Sequence, residues 1–294
     1  FNVMECAREL GVDHLLMAST SSVYGANTDM PFHEGQKVDT PLTLYAALFM
    51  IFLYGPVLMI PIFSFNDSLF ATFPLKGFTL KHYGTMAANT GMLSALQNSI
   101  LVAVCSSIIA TAIGLMAAIA LTRNRLPGNT IILAAFSLPL IVPSIVFGVA
   151  ILIIMLKFLG IPLSLWTVGA AHVFICIPFS MTVLMSRLEG FDKSLEEASR
   201  DLGESAWMTF YRVTLPLALP GVISSLLLCF ITSFDEFVLA FFLAGTDPTL
   251  PVYLFGQLRF PNKLPGMLAL GTSILMLSTI LVLLAEFFHK RGVQ

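Results

Sequence analysis

Charge is what this sequence has least of. Only 11% of its 294 residues are Asp, Glu, Lys or Arg, 57% are hydrophobic, and the mean hydropathy is +0.89. So few charges cannot cover a water-facing surface, which excludes an ordinary soluble globular fold. An excess of positive charge is also lacking. The 15 Lys and Arg stand against 17 Asp and Glu, a formal net charge of −2, so the balance suits no nucleic acid. Cysteine is scarce: Cys6, Cys105, Cys176 and Cys229 are scattered, and three lie in apolar runs where they read as small hydrophobes rather than disulfide or metal partners. No Gly-x-x-x-x-Gly-Lys-Ser/Thr loop occurs, so no ATP site of that kind is present. The start at Phe1 shows neither an initiator Met nor a signal-peptide pattern, and reads as an internal piece of another protein.

What is present falls into two unlike parts. Residues 1–47 carry Arg8, Glu9, Asp13, Asp29, Glu34, Lys37 and Asp39 among mixed polar residues, and the next charge is Asp67. A helix is expected at 3–10 with Gly11 closing it, a short strand at 15–18, and loop over 25–40. That makes a short α/β fragment, too small for a core of its own.

Residues 48–294 are expected to form an all-α membrane domain. A crossing of ~30 Å of hydrocarbon needs about 20 residues of helix, and six apolar stretches reach that length. They lie at 42–65, 93–121, 131–155, 163–185, 215–244 and 267–285, the third containing Pro139 and Pro143. By parity, Arg123, Arg125, Arg187, Lys193, Arg200, Arg212, Lys290 and Arg291 share one side, opposite Lys76, Lys81, Lys157, Arg259 and Lys263. This positive bias predicts both termini, and the loop between spans four and five, in the cytoplasm.

That loop has a pattern of its own. Ser194 with Glu197 has the spacing of a capping box, Gly203 supplies a left-handed ending, and Leu195, Ala198 and Leu202 share one small apolar face. A capped helix with such a face suits docking into a groove on a partner, or lying on the headgroups.

The run Glu197-Ala198-Ser199, then Gly203, then Val213-Thr214-Leu215-Pro216 resembles the cytoplasmic signature loop of ABC-importer permeases, usually Glu-Ala-Ala, Gly and Ile-x-Leu-Pro. Ser199 and Val213 depart from it while keeping residue size. Ser64-Phe65-Asn66, Ser233-Phe234-Asp235-Glu236-Phe237 and Leu250-Pro251-Val252-Tyr253 are similar to permeases of spermidine/putrescine importers. The resemblance implies a permease subunit of the bacterial inner membrane that moves polyamines by alternating access. It also implies partners: a cytosolic ATPase dimer that uses ATP, a second and homologous permease subunit, and an extracytoplasmic substrate-binding protein. Glu197, Ala198, Ser199, Gly203, Val213, Leu215 and Pro216 would couple to the ATPase, and this chain would hold no cofactor. The alternatives are a permease for another small solute of the same superfamily, or a remnant nucleotide-sugar epimerase.

Asp235 and Glu236 are placed inside the fifth span, where a carboxylate costs about 2.5–3.5 kcal/mol near the bilayer centre. Adjacent residues point ~100° apart around a helix, so at least one is expected to face the pathway or the partner permease. A polyamine is a multivalent cation, which makes Asp235 the first pathway candidate, Glu236 the second, and Asp67 an attractor at the outer mouth. His172 is expected to bond a facing helix, and Trp166 to anchor at an interface.

Leu15 through Gly25, with Pro31, Glu34, Pro41 and Tyr45, is similar to the middle of nucleotide-sugar epimerases of the extended short-chain dehydrogenase family. There a Ser or Thr, a Tyr and a Lys four positions later act together, the Lys lowering the Tyr pKa. Thr20 and Tyr45 match the first two roles, but Phe49 stands at the Lys position and the glycine-rich cofactor turn is absent. No epimerase activity is expected.

Overall fold

In hydrocarbon every backbone N–H and C=O must find its partner within the protein, so apolar runs of this length fold as helices. The computed structural model describes residues 40–124 and 127–292, with residues 40–43 and 281–292 as backbone only. The expected helix at 3–10, the strand at 15–18, Thr20 and Arg125 lie outside the described residues. In order, α1 is Thr40–Ser64, α2 Lys81–Ala87, α3 Thr90–Arg123, α4 Asn129–Ile141, α5 Ser144–Ile153 and α6 Leu165–Glu189. There follow α7 Ser194–Asp201, α8 Ala206–Thr209, α9 Leu215–Asp235, α10 Val238–Leu243, α11 Leu250–Gln257 and α12 Leu264–Gly292. No strand occurs among the described residues, only an isolated bridge between Asn66 and Phe78.

Among the described residues, five segments are long and apolar enough to cross a membrane: Leu44–Ser64, Thr90–Arg123, Leu165–Glu189, Ala206–Asp235 and Pro261–Ile280. The stretch expected as a continuous third span is bent instead. Asn129–Ile141 and Ser144–Phe158 meet at 99°, and neither reaches the ~20 residues of a straight crossing. Pro143 explains the break, because it cannot donate a helical hydrogen bond and it pushes the residue before it out of helical geometry. Val142 accordingly adopts φ −77°, ψ 129°. The fifth span also ends earlier than expected: α9 stops at Asp235, Glu236 takes φ −70°, ψ 113°, and the chain turns helical again only at Val238.

The core is the seam where α3, α6 and α9 pack on one another. Apolar contact gains little between helices surrounded by lipid, so close approach and hydroxyl bonding must hold them. Both are present. Gly114 on α3 faces Ser180 on α6, and a Cβ at Gly114 would overlap the Ser180 hydroxyl. Ser225 on α9 donates its hydroxyl to Ser180 Oγ at 2.7 Å and lies 3.2 Å from Thr111 Oγ1, which joins all three helices through buried oxygens. The thiols of Cys176 and Cys229 each donate to the other's backbone carbonyl at 3.5 Å. His172 Nδ1 lies 2.8 Å from Ser233 Oγ, the facing-helix bond expected for it. Apolar side chains complete the seam, with Ala118, Leu184, Leu188 and Ala218 in one buried cluster. By contrast, the membrane window of α1 has none of its residues buried; α1 meets the bundle along α12, where Gly271 leaves room for Ile60.

Overpacking this seam destabilises it. Gly114→Ala is expected to lower stability by about 1–3 kcal/mol, the usual penalty for an added methyl group with no room. Thermal unfolding of the detergent-purified protein, against Gly84→Ala where nothing lies within 4 Å, measures the difference.

Candidate functional site

The loop between α6 and α9 folds as a bracket. Asp192 Oδ1 accepts the backbone N–H of Ser194 at 3.0 Å and Lys193 occupies the N-cap. This corrects the expected capping box: Ser194 lies inside the first turn, so its hydroxyl is not the cap, and the carboxylate two residues earlier bonds the helix start. At the other end Gly203 adopts φ +93°, its N–H bonds Arg200 O at 2.9 Å, and the N–H of Glu204 bonds Ser199 O at 3.2 Å. That bonding pair is a Schellman ending, and the left-handed residue is Gly, which lacks the Cβ that would make it strained.

The two faces of α7 differ. Leu195 is 49% exposed and Leu202 87%, with Glu197 and Ala198 also exposed, so the expected apolar face points away from the protein. The opposite face is anchored. Glu196 Oε2 lies 3.0 Å from Arg123 Nε, and Glu196 Oε1 accepts from the same nitrogen at 3.1 Å and from Thr214 Oγ1 at 3.0 Å. Arg123 also donates through Nη1 to Leu188 O at 3.2 Å. Ser199 Oγ is 3.1 Å from Thr209 Oγ1, tying α7 to α8, and Lys193 Nζ donates to Thr122 O at 3.1 Å. Thr214 is buried and Val213 half-buried, while Leu215 and Pro216 open α9, where proline suits a first turn.

Residue by residue, Ser199, Gly203 and Val213–Pro216 shape and seat the bracket, whereas Glu197 and Ala198 are left outward. Glu196 and Arg123 were missed in the sequence. The only sign of Glu196 is its spacing, since Glu196, Ser199 and Gly203 repeat at i, i+3 and i+7 like Leu195, Ala198 and Leu202 on the other face. Nothing local marks Arg123, which meets Glu196 across 73 residues of sequence.

The pathway candidates are placed differently from expectation. At 1.5 Å per residue, Asp235 lies about 30 Å along α9 from Leu215, roughly the full hydrocarbon thickness. It ends the helix instead of interrupting it, as the last residue of the apolar segment Ala206–Asp235. Asp235 is exposed, and its side chain makes no hydrogen bond or ion pair among the described residues. Glu236 Oε1 accepts the backbone N–H groups of Val238 at 2.9 Å and Leu239 at 3.1 Å, so this carboxylate caps α10. Asp67 is exposed in the loop after α1, its N–H bonded to Gly77 O at 3.0 Å. Tyr45 lies exposed on α1, its ring stacked 6.4 Å from that of Phe49, and no Lys stands where an epimerase requires one.

The family described as binding-protein-dependent transport system inner membrane component matches residues 110–292, which include α6, the whole bracket and α9. The chain belongs to this family. The spermidine/putrescine transport system permease protein PotC of Escherichia coli (strain K12) is 34% identical over 240 residues, 81% of this chain and 90% of that protein. The putrescine transport system permease protein PotI of the same strain is 34% identical over 248 residues, 82% and 88% of the two chains. A bacterial ABC transporter involved in the import of the acidic polysaccharide alginate shares the fold with a TM-score of 0.67 at 17% identity, covering 88% of this chain and 99% of its own. Residues 1–48 match the NAD dependent epimerase/dehydratase family. This inner membrane component is a transport subunit and not an enzyme, and its apolar helices are membrane spans.

Acid tests the cap. The backbone N–H of Ser194 holds the Asp192 carboxyl below its ordinary value of 3.8. A group with a depressed folded pKa stabilises above its unfolded value and stops doing so as pH falls through the folded one. Asp192→Ala is therefore expected to lower the melting temperature equally between about pH 5 and 8, and the gap to wild type closes only below about pH 4. A pH series of melting curves checks this.

Proposed function

We propose that this chain is one permease subunit of an ATP-binding-cassette importer for polyamines such as putrescine and spermidine. The observation that carries the reading is α7: an apolar outward face of Leu195, Ala198 and Leu202, on a helix held from behind. Such a face is the docking element for a cytosolic ATPase, with Glu197 at its edge and Gly203 fixing its exit. The ATPase dimer binds and hydrolyses ATP, and this chain holds no cofactor. A second, homologous permease subunit completes the pathway, and an extracytoplasmic binding protein delivers the solute. The positive bias of Arg123, Arg187, Lys193, Arg200 and Arg212 supports a cytoplasmic bracket and cytoplasmic termini in a bacterial inner membrane. On this reading the bent α4–α5 pair is one broken span, giving six crossings. Residues 48–294 form the permease domain and residues 1–47 a piece without activity.

Similarity to PotC and PotI supports a polyamine as the solute. Asp235 suits a multivalent cation, since its exposed carboxylate is free of protein partners among the described residues, and Asp67 adds negative charge at the outer mouth. Glu236 serves the pathway indirectly, by fixing the break that presents Asp235.

Leu202→Asp is expected to reduce co-purification of the ATPase by more than tenfold, as charge on the centre of an apolar contact does. A wild-type chain that never associates with an ATPase overturns the reading. Asp235→Asn is expected to depress uptake of labelled putrescine at limiting concentration about tenfold, equivalent to ~1.4 kcal/mol of lost pairing, with ATPase binding unchanged. Undiminished uptake removes Asp235 from the pathway, and uptake of neither putrescine nor spermidine removes the polyamine.

A further inference from the structure

A docking helix does nothing for transport unless its displacement reaches the spans. By its chain connections alone α7 is poorly placed to deliver one, since it is only 8 residues long and joined to α6 and α8 by short non-helical links at 190–193 and 202–205. A push on such a helix is absorbed by its links unless side chains bypass them.

We propose that the Arg123–Glu196 pair, closed by Thr214, is the strut that carries displacement of α7 into the membrane bundle; Glu196 and Arg123 are positioning residues for coupling. The proposal rests on the reading of α7 as an ATPase-docking helix. Its basis is the set of elements that meet at one carboxylate. Glu196 bonds the last residue of α3 through Arg123, and Thr214 immediately before α9. Arg123 in turn holds Leu188 O in the last turn of α6. These are the three helices of the buried seam, reached from α7 by side-chain contacts of 3.0–3.2 Å. The Arg123 and Glu196 side chains are only 12% and 15% exposed, so the pair is little screened and either charge alone would be poorly solvated. A pair in that position favours one geometry strongly, which is what a strut requires. The other ion pair of the loop, Arg212 with Glu204, is 61% and 30% exposed and lies within the bracket itself. Exposed pairs of this kind contribute little, and this one touches neither α3 nor α6 of the buried seam.

Glu197, the acidic residue of the signature, therefore differs from its neighbour. Glu197 is exposed beside the docking face, while Glu196 faces inward and transmits.

The test uses the complete transporter with its ATPase, a fluorescent thiol label at Ile231→Cys near the far end of α9, and Cys6 and Cys105 replaced by Ala. Ile231 is 57% exposed, whereas Cys176 and Cys229 are buried. The signal is the change in label emission on adding a non-hydrolysable ATP analogue. In Glu196→Gln the ATPase is expected to remain bound while the response falls about tenfold, within the range seen for directly coupled pairs. The double variant Arg123→Gln/Glu196→Gln is expected to be no worse than either single variant, because both act through one contact. Glu204→Gln is expected to keep the full response. A full response in Glu196→Gln with ATPase bound overturns the strut, and so does an equal loss in Glu204→Gln. Should Glu196→Gln fail to assemble, Thr214→Val decides. It removes one bond to the carboxylate without stranding a charge, and is expected to lower the response about threefold; an unchanged response rejects the proposal. Absence of the ATPase from the wild-type complex is a separate result, which removes the docking reading and the strut with it.

Discussion

Helices in lipid gain almost nothing from burying apolar surface against one another, and the rest of this structure depends on how α3, α6 and α9 meet that constraint. They do so with short side chains and hydroxyls. Gly114 lets two backbones approach, and the Ser225 hydroxyl lies within bonding distance of both Ser180 Oγ and Thr111 Oγ1 inside the contact. Polar contacts of this kind are directional, so the seam specifies how each helix is rotated as well as how close it lies. That rotation puts Arg123, Leu188 and Thr214 at one end of the seam, around Glu196. The bracket is thus a consequence of the packing above it.

The bracket in turn explains why a short loop helix keeps its place. An isolated eight-residue helix is unstable in water. Here Asp192 bonds its first turn, Gly203 ends it with paired carbonyls, and Glu196 and Ser199 bind its inner face. With that face occupied, Leu195 and Leu202 are held facing out, an arrangement that a free amphipathic helix would tend to reverse by turning its leucines inward. Exposure of Leu202 is thereby enforced by the polar contacts behind it.

The legible part of this molecule was whatever depends on runs and spacing. Apolar length fixed the positions of α1, α3, α6, α9 and α12, and the i, i+3, i+7 recurrence of Leu195, Ala198 and Leu202 identified the outward face of α7. Less legible were the features set by single contacts. Pro143 advertised a disturbance, but whether a proline kinks a span or folds it back at 99° depends on what the second half packs against. Ser194 and Glu197 had capping-box spacing, yet Asp192 took the bond because a carboxylate just before the first turn reaches the same backbone. The carboxylates of Asp235 and Glu236 were read as lying inside a span because their flanks are apolar on both sides; nothing in those flanks distinguishes a continuous helix from one that stops and restarts. Arg123 was invisible as a partner for Glu196, since sequence separation hides any pairing between distant helices.

The two breaks belong together. The second half of the bent pair, α5, packs on α10, with Gly148 against Phe242 and Leu239. One break is made by Pro143, the other by Glu236, whose carboxylate takes the two N–H groups that open α10. A helix end inside a membrane protein must have its backbone donors satisfied by something other than lipid, and Glu236 meets that need from one residue beyond the end of α9. The half-buried acid of the two is therefore committed to the backbone, and its neighbour Asp235 is left to the exterior. Adjacent carboxylates at the end of one helix acquire separate work because only one of them can reach the opening turn of the next.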